Sequence, residues 1–234
     1  MAQTRVEVTA PRPVYEAILK LQSLSRVAIN YEDLRYDSAN DVEDASGWIL
    51  TPQQRQDHPN AKVIIPKAGS LSATLPTDGA GKLPDVSTTE QALAAVLAAQ
   101  SASNTPGTLH SELAGGVLFV EPSEQHSAQG FRVSATPILD TLVTLDGKEA
   151  LAVDVFEYIV AQIRNASGAK LTLGTVPIGA FLQSKVALKA NGESAKFVLA
   201  KLLAALFPGR TAFYHALYDP VLQVYVFNVA VKLE

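Results

Sequence analysis

Hydrophobic and polar positions along this chain follow a pattern that occurs twice. Residues 88–121 and 194–228 each read as an Ala/Leu-rich helix, a Gly- or Pro-marked break, and two short strands joined by a tight turn. A helix-then-strand unit precedes each, at 14–32 and at 154–174. In the first half, Val6 and Val8 alternate with polar neighbours, the period of a half-buried strand. Pro11 and Pro13 end it, and Pro13 suits the first turn of a helix, where its missing N–H costs nothing. Val14, Ala17, Ile18 and Leu21 then fall on one helical face, and Ala28 to Tyr31 reads as a strand. Lys62 to Pro66 and Ser70 to Leu75 return to strand patterns. Ser87-Thr88-Thr89-Glu90 has the form of a capping box, ahead of a stripe of Leu93, Val96 and Leu97. Gly115-Gly116 reads as a two-residue hairpin turn.

The second half opens with strand patterns at Phe131–Ser134 and Leu142–Leu145, and Asp146 with Glu149 predicts a helix start. Phe156, Ile159, Val160 and Ile163 form a helical stripe that Gly168 ends. Leu171 and Leu173 alternate in the strand after it, and Lys185 to Ala190 alternates again. Ala195, Val198, Leu199, Leu202 and Leu206 mark the last helix. Two strands run from Thr211 to the C-terminus, turning at Asp219-Pro220. The expected fold class is α+β: two tandem β-α-β-β-α-β-β units, each a small sheet with two helices packed on one face. The first spans 1–122 with a long loop at about 34–61, residues 123–130 link the halves, and the second spans 131–234.

Composition narrows the role more than the fold. The hydrophobic fraction of 47% suffices for packed cores. The net charge is −4 and the 19 Lys and Arg are scattered, so the basic stripe that a phosphate backbone demands is missing. The chain has no cysteine, which excludes disulfides, thiolate zinc sites and Cys nucleophiles. No apolar run approaches the roughly 20 residues of a membrane span. The terminal Leu233-Glu234 matches the scar of a tag vector, and an export signal is expected to have been removed from this form of the protein.

The order of elements, with these local sequences, resembles the secretin and TonB N-terminus short domain in two copies. The residues that carry the resemblance are Val6-Glu7-Val8, Pro13-Val14-Tyr15-Glu16-Ala17-Ile18, Ile29-Asn30-Tyr31, the helix start Thr89-Glu90-Gln91-Ala92-Leu93, and the closing strand Val117-Leu118-Phe119-Val120. Residues 142–229 repeat the plan more loosely. The chain departs from the family in its longer loop at 34–61, in Arg26 near the place of a usual Gly, and in containing no pore domain. The resemblance implies a periplasmic or cell-envelope protein that binds a protein partner through sheet edges or helix faces. It supplies no catalytic residue.

A search for chemistry agrees. Gly79-Ala80-Gly81-Lys82 lacks the first glycine of a phosphate loop, and Leu83 stands where Ser or Thr should bind magnesium. Asp37, Asp41, Glu43 and Asp44 lack the EF-hand pattern, with Ala39 at a ligand position and Val42 in place of the glycine. His58, His110, His126 and His215 share no metal-ligand spacing, although His110 and His215 hold similar places in the two repeats. Asn165-Ala166-Ser167 matches a glycosylation sequon by pattern alone. No cofactor or metal is expected. Tyr31-Glu32-Asp33-Leu34-Arg35-Tyr36 is the most distinctive string. Tyr31, Arg35 and Tyr36, with Trp48 in the adjacent loop, are the candidate partner-binding residues, because Tyr, Arg and Trp anchor interfaces. The expected function is a non-catalytic interaction module, with homo-oligomers possible. The alternatives are a small-ligand site or unfamiliar enzyme site between the halves under the 34–61 loop, and a structural spacer.

Overall fold

The computed structural model describes residues 2–103 and 106–232; the terminal Leu233-Glu234 lies outside them. The chain begins with β1 (Ala2–Ala10), α1 (Pro13–Leu24) and β2 (Ile29–Glu32). An insertion follows, with a 3-10 turn at Ala39–Asp41, β3 (Val42–Asp44), α2 (Ser46–Ile49), α3 (Pro52–Asp57) and β4 (Ile64–Pro66). The first half closes with β5 (Gly69–Thr77), α4 (Val86–Ser101), β6 (Gly107–Ala114) and β7 (Val117–His126). The second holds β8 (Arg132–Ser134), β9 (Leu142–Leu151), α5 (Ala152–Ser167), β10 (Leu171–Leu173), α6 (Ile178–Gln183), β11 (Lys185–Ser194), α7 (Ala195–Leu206), β12 (Ala212–Asp219) and β13 (Val224–Val231). The fold class is α+β, and without the insertion, β8 and α6 both halves run β-α-β-β-α-β-β.

Local chemistry sets the boundaries. Pro13 opens α1, and Ser25 stops it by turning extended, its hydroxyl accepting the N–H of Val27 at 2.9 Å. Gly168 ends α5 in the left-handed region at φ 71°. Gly115 and Gly116 take φ 59° and 79°, the pair of positive angles that a two-residue hairpin turn requires. Two expected helix starts move. Asp85, two residues before Ser87, caps α4 by accepting the N–H of Thr88 at 2.7 Å. Asp146 and Glu149 lie within β9, which pairs with β11 and continues to Leu151. The pairing of apolar Val143 and Leu145 with β11 extends the strand past the polar pair.

Each half has one more layer than expected. β1 pairs antiparallel with β5 along its length, as β9 does with β11, and neither pair belongs to the main sheet. The helices lie between these pairs and that sheet. Their buried sets, such as Thr89, Ala92, Leu93, Val96, Leu97 and Gln100 on α4, span more of the circumference than one sheet can cover, so a second strand pair closes over them.

The halves share the main sheet, whose order is β10-β13-β12-β2-β7-β6. Within each half the first strand is parallel to the last, β2 to β7 and β10 to β13, and the hairpins β6-β7 and β12-β13 are antiparallel. The halves meet where β12 runs parallel to β2, pairing His215 with Tyr31 and Ala216 with Glu32. Both halves keep the same side-to-side order of strands, yet parallel pairing at the seam reverses one half end for end. The helices of the two halves therefore sit on opposite faces of one sheet. Phe119 of β7 turns away from the helices of its own half and meets Phe197 of α7 edge to face, centroids 5.2 Å apart. Reciprocally, Tyr15 of α1 lies edge-on to His215 of β12 at 5.0 Å. The expected linker at 123–130 is absent as such: Ser123 to His126 belong to β7, and the chain turns at 127–130 into β8, which pairs back on β7.

Candidate interaction surface

The seam is built around Asp33, which follows β2 and is fully buried. One carboxylate oxygen accepts the hydroxyls of Tyr31 at 2.8 Å and Tyr36 at 2.9 Å and the N–H of Leu34 at 3.0 Å. The other accepts Nε of Arg12 at 2.6 Å and the N–H of Tyr218, from the other half, at 3.2 Å. Arg12 also donates to the carbonyl of Tyr218 at 2.6 Å. Burial opposes the charge on Arg12, but Asp33 and the two tyrosines outweigh it and raise its pKa. Burial, then the charge of Asp33, holds both tyrosine hydroxyls well above their usual range. A carboxylate with five donors, one of them a guanidinium, is a satisfied network.

Three further contacts tie the halves. Asn30 Oδ1 accepts the N–H of Tyr214 at 2.9 Å. The Glu32 carboxyl accepts the N–H groups of Ile138 and Leu139 at 2.7 and 3.0 Å; burial pushes its pKa up to about 8 against those bonds. Lys196 on α7 meets Glu121 and Asp140 at 2.7 Å and Glu112 at 2.8 Å. His215 is buried, its Nε2 has no hydrogen-bond partner among the described residues, and burial lowers its pKa to about 4.

These contacts decide the candidate residues. Tyr31 and Tyr36 are 2% and 6% exposed and face no solvent, so the expected rim is corrected: the carboxylate between the two tyrosines draws both hydroxyls inward. Arg35 remains at the surface, its guanidinium 5.8 Å from the Tyr218 ring centroid. Trp48 is 68% exposed on α2, and among the described residues no ring contact or ion pair joins it to the other three. Asp41 of the acidic loop pairs with His126 at 2.8 Å, and Asp44 with Ser46. Arg12 and Lys196 escaped the sequence reading, and Asp33 entered it only as part of the string 31–36. The signal that could have found them was a charge at the boundary of an apolar element: Arg12 between two prolines ahead of a helix, Asp33 at a strand exit, Lys196 at the head of an apolar helix.

The seam also shows what a partner looks like, because the fold repeats its two sides. Opposite β7, Ile29 pairs with Leu118 and Tyr31 with Val120; opposite β13, Leu171 pairs with Tyr225 and Leu173 with Phe227. Leu118 and Tyr225 face Leu113 and Tyr218 in the hairpins. β10 is thus the counterpart of β2, and β6 of β12, with His110 in the place of His215. β2 is covered by β12, whereas β10 and β6 end the sheet, with no strand on their outer sides among the described residues. The helix beside each strand records the difference. Val14, Ile18 and Gln22 on α1 are buried; their counterparts on α5 are Phe156, which is buried, Val160, which is half-buried, and Arg164, which is exposed. A groove of about 430 Å³ runs there, lined by Phe156, Glu157, Val160, Arg164 and β10.

A second groove, of about 550 Å³, lies between the halves at the C-terminal end of α1, with Ser23, Arg26, Lys82, Thr211 and Lys232 in its wall. Lys232 donates to the carbonyls of Gln22 and Ser25 at 3.1 and 2.6 Å. Where the loop that starts at Leu34 meets the second half, the place expected for a ligand cleft, Arg35 faces Gly168, Lys170, Tyr218 and Tyr225 across a space of about 220 Å³. Comparison with family models, curated proteins and solved structures finds no match.

Asp33→Ala leaves the half-buried Arg12 without its carboxylate and two tyrosine hydroxyls without an acceptor. It is expected to lower stability by about 3–5 kcal/mol, read as a shift in the urea midpoint; a change under 1 kcal/mol would refute the hub. His215 supplies the acid limb. Its folded pKa lies below the usual 6.5, so its contribution is complete above pH 6.5 and is lost as pH falls toward 4, to about 3 kcal/mol for a shift of this size. His215→Phe keeps the ring against Tyr15, and stability measured from pH 7 to 4 should fall less steeply in the variant than in the parent.

Proposed function

We propose that this chain is a non-catalytic interaction module of the bacterial cell envelope that takes a partner's strand on the open edge of β10. The observation that carries the reading is the groove between α5 and β10. It has the strand, the helix face and the exposed backbone that β12 covers at the seam, and here no strand covers them among the described residues. Strand addition uses main-chain hydrogen bonds for affinity and neighbouring pockets for specificity, and a bare edge of this kind is otherwise an aggregation hazard. The non-catalytic part is supported by the use of the ionisable side chains at the seam: Arg12, Glu32, Asp33 and Lys196 are all engaged by internal partners. The envelope part rests on the resemblance of the local sequences to the secretin and TonB N-terminus short domain.

The alternation of bonds along β10 makes a selective test possible. Gly174 N–H bonds inward to Phe227, so the N–H of Leu173 points outward, and Leu173→Pro removes a donor from the edge without touching the ladder to β13. A photo-crosslinking residue at Thr172 is expected to capture an envelope protein that the same residue at exposed Lys148 does not, and Leu173→Pro should abolish the capture. Equal capture at both positions, or capture undiminished by proline, would overturn the reading.

A second reading, a small anionic ligand, is favoured by the convergence of Arg26, Lys82 and Lys232 on the other groove. Pyrophosphate should then raise the melting temperature of the parent but not of Arg26→Ala/Lys82→Ala; a flat response in both removes it.

A further inference from the structure

We infer that the strand taken up by β10 is β6 of a second copy of this chain, so that copies join head to tail by repeating the seam that already joins the two halves. The inference rests on the edge reading above and names its partner.

The two bare edges are different surfaces, and each is the counterpart of one side of a contact the molecule already makes. β10 corresponds to β2 and β6 to β12. The operation that carries the first half onto the second keeps the strand order and reverses the strand direction. A further step of that operation brings β10 of the next copy beside β6. Within one copy β6 is antiparallel to β7, which is parallel to β2, which is parallel to β12, which is antiparallel to β13, which is parallel to β10. β6 and β10 therefore run the same way, and a copy in the same orientation offers β10 parallel to β6, as the seam requires.

The register follows. The seam pairs His215 with Tyr31 and Ala216 with Glu32, so the joint pairs His110 with Leu173 and Ser111 with Gly174 of the next copy. The backbone groups are in phase at Leu173, which carries the joint's bonds; Thr175, the counterpart of Asp33, already donates its N–H to Asn228 Oδ1 at 2.9 Å and accepts the N–H of Val229 at its carbonyl. At the seam Ala216 accepts the N–H of Asp33 and the N–H of Tyr214 points at Asn30. Their counterparts on β6, Ser111 and Leu109, turn their backbone groups outward, and the counterpart of Asn30 is Thr172, an exposed hydroxyl. His215 lies under Tyr15 of α1; His110, its side chain 49% exposed, comes under Glu157 of α5, which places a carboxylate against an imidazole. The half-buried Val160 and the 41% exposed Leu113 are covered in the same step.

A contact between two different patches does not close on itself as a two-fold dimer does; it continues until the rotation closes a ring or a filament runs on. Six strands per copy at about 4.8 Å each advance the chain by about 29 Å. A sheet twist of about 20–25° per strand turns each copy by about 120–150°.

Because the chain has no cysteine, introduced thiols report alone. His110→Cys and Leu173→Cys, prepared separately and mixed under mild oxidation, are expected to form a covalent heterodimer, since paired strands bring Cα atoms within disulfide reach. The double variant should give a ladder of multimers. Lys148→Cys mixed with either serves as the background. Sedimentation velocity of the unsubstituted chain should show a coefficient that rises with concentration, and Leu173→Pro should hold it at the monomer value. A heterodimer no more abundant than background overturns the inference, as does a dimer formed by His110→Cys or Leu173→Cys alone in preference to the mixed pair, or a mass independent of concentration. If the thiols fail while Thr172 still captures a different protein in a Leu173→Pro-sensitive way, the occupant is wrong and the edge reading survives. If both fail, both fall.

Discussion

One carboxylate holds this molecule together as a single body. Asp33 is buried where two half-sheets meet, and its oxygens gather donors from Arg12 at the N-cap of α1, from the residues on either side of it and from β12 of the other half. Burying a carboxylate is costly unless its charge is matched and its lone pairs are filled; Arg12 of the same half matches the charge, and docking adds the fifth donor, the N–H of Tyr218. The hub therefore specifies a geometry more than it adds stability. It admits β12 beside β2 in one register, and that register fixes which face of the sheet each pair of helices covers. The positions of Phe197 on Phe119 and of Lys196 among its three carboxylates follow from it.

The fold class and the duplication were legible in the sequence because they depend on periodicity. Stripes such as Val14, Ala17, Ile18 and Leu21 are signatures of local geometry, as is the Gly115-Gly116 turn. What failed was non-local or competed with a stronger local signal. Asp146 and Glu149 look like a helix start, yet the pairing of β9 with β11 carries the strand past them. Ser87 makes a good cap in isolation, but Asp85 reaches Thr88 first. Leu171 and Leu173 announce a strand without saying that its outer side is bare. Nothing short-range could show that the strand pairs leave the main sheet, or that the sheet runs across both halves.

The candidate site was legible in part and for the wrong reason. The run from Tyr31 to Tyr36 did prove to be the point of contact between two surfaces, but both surfaces belong to one chain. Tyrosines and arginines that anchor an interface between proteins have the same composition as those that anchor one within a protein, and sequence cannot separate the cases. The repeat separates them. It supplies a second copy of each side of the seam, one filled and one empty, and the contrast between Ile18 and Val160, or between Gln22 and Arg164, is where burial distinguishes the two.

The seam also sets an order of events as the chain is made. β2 ends at Glu32, yet the strand that covers it begins at Ala212, 180 residues further along the chain. Such a separation makes for high contact order and slow closure. Until β12 has been made, the nascent first half presents β2 as a bare edge with Asp33 and Arg12 unmatched by Tyr218, a state open to capture by any passing strand. The polar residues that make the finished joint specific also leave the unfinished edge hydrated, and so keep it available for β12 when it arrives.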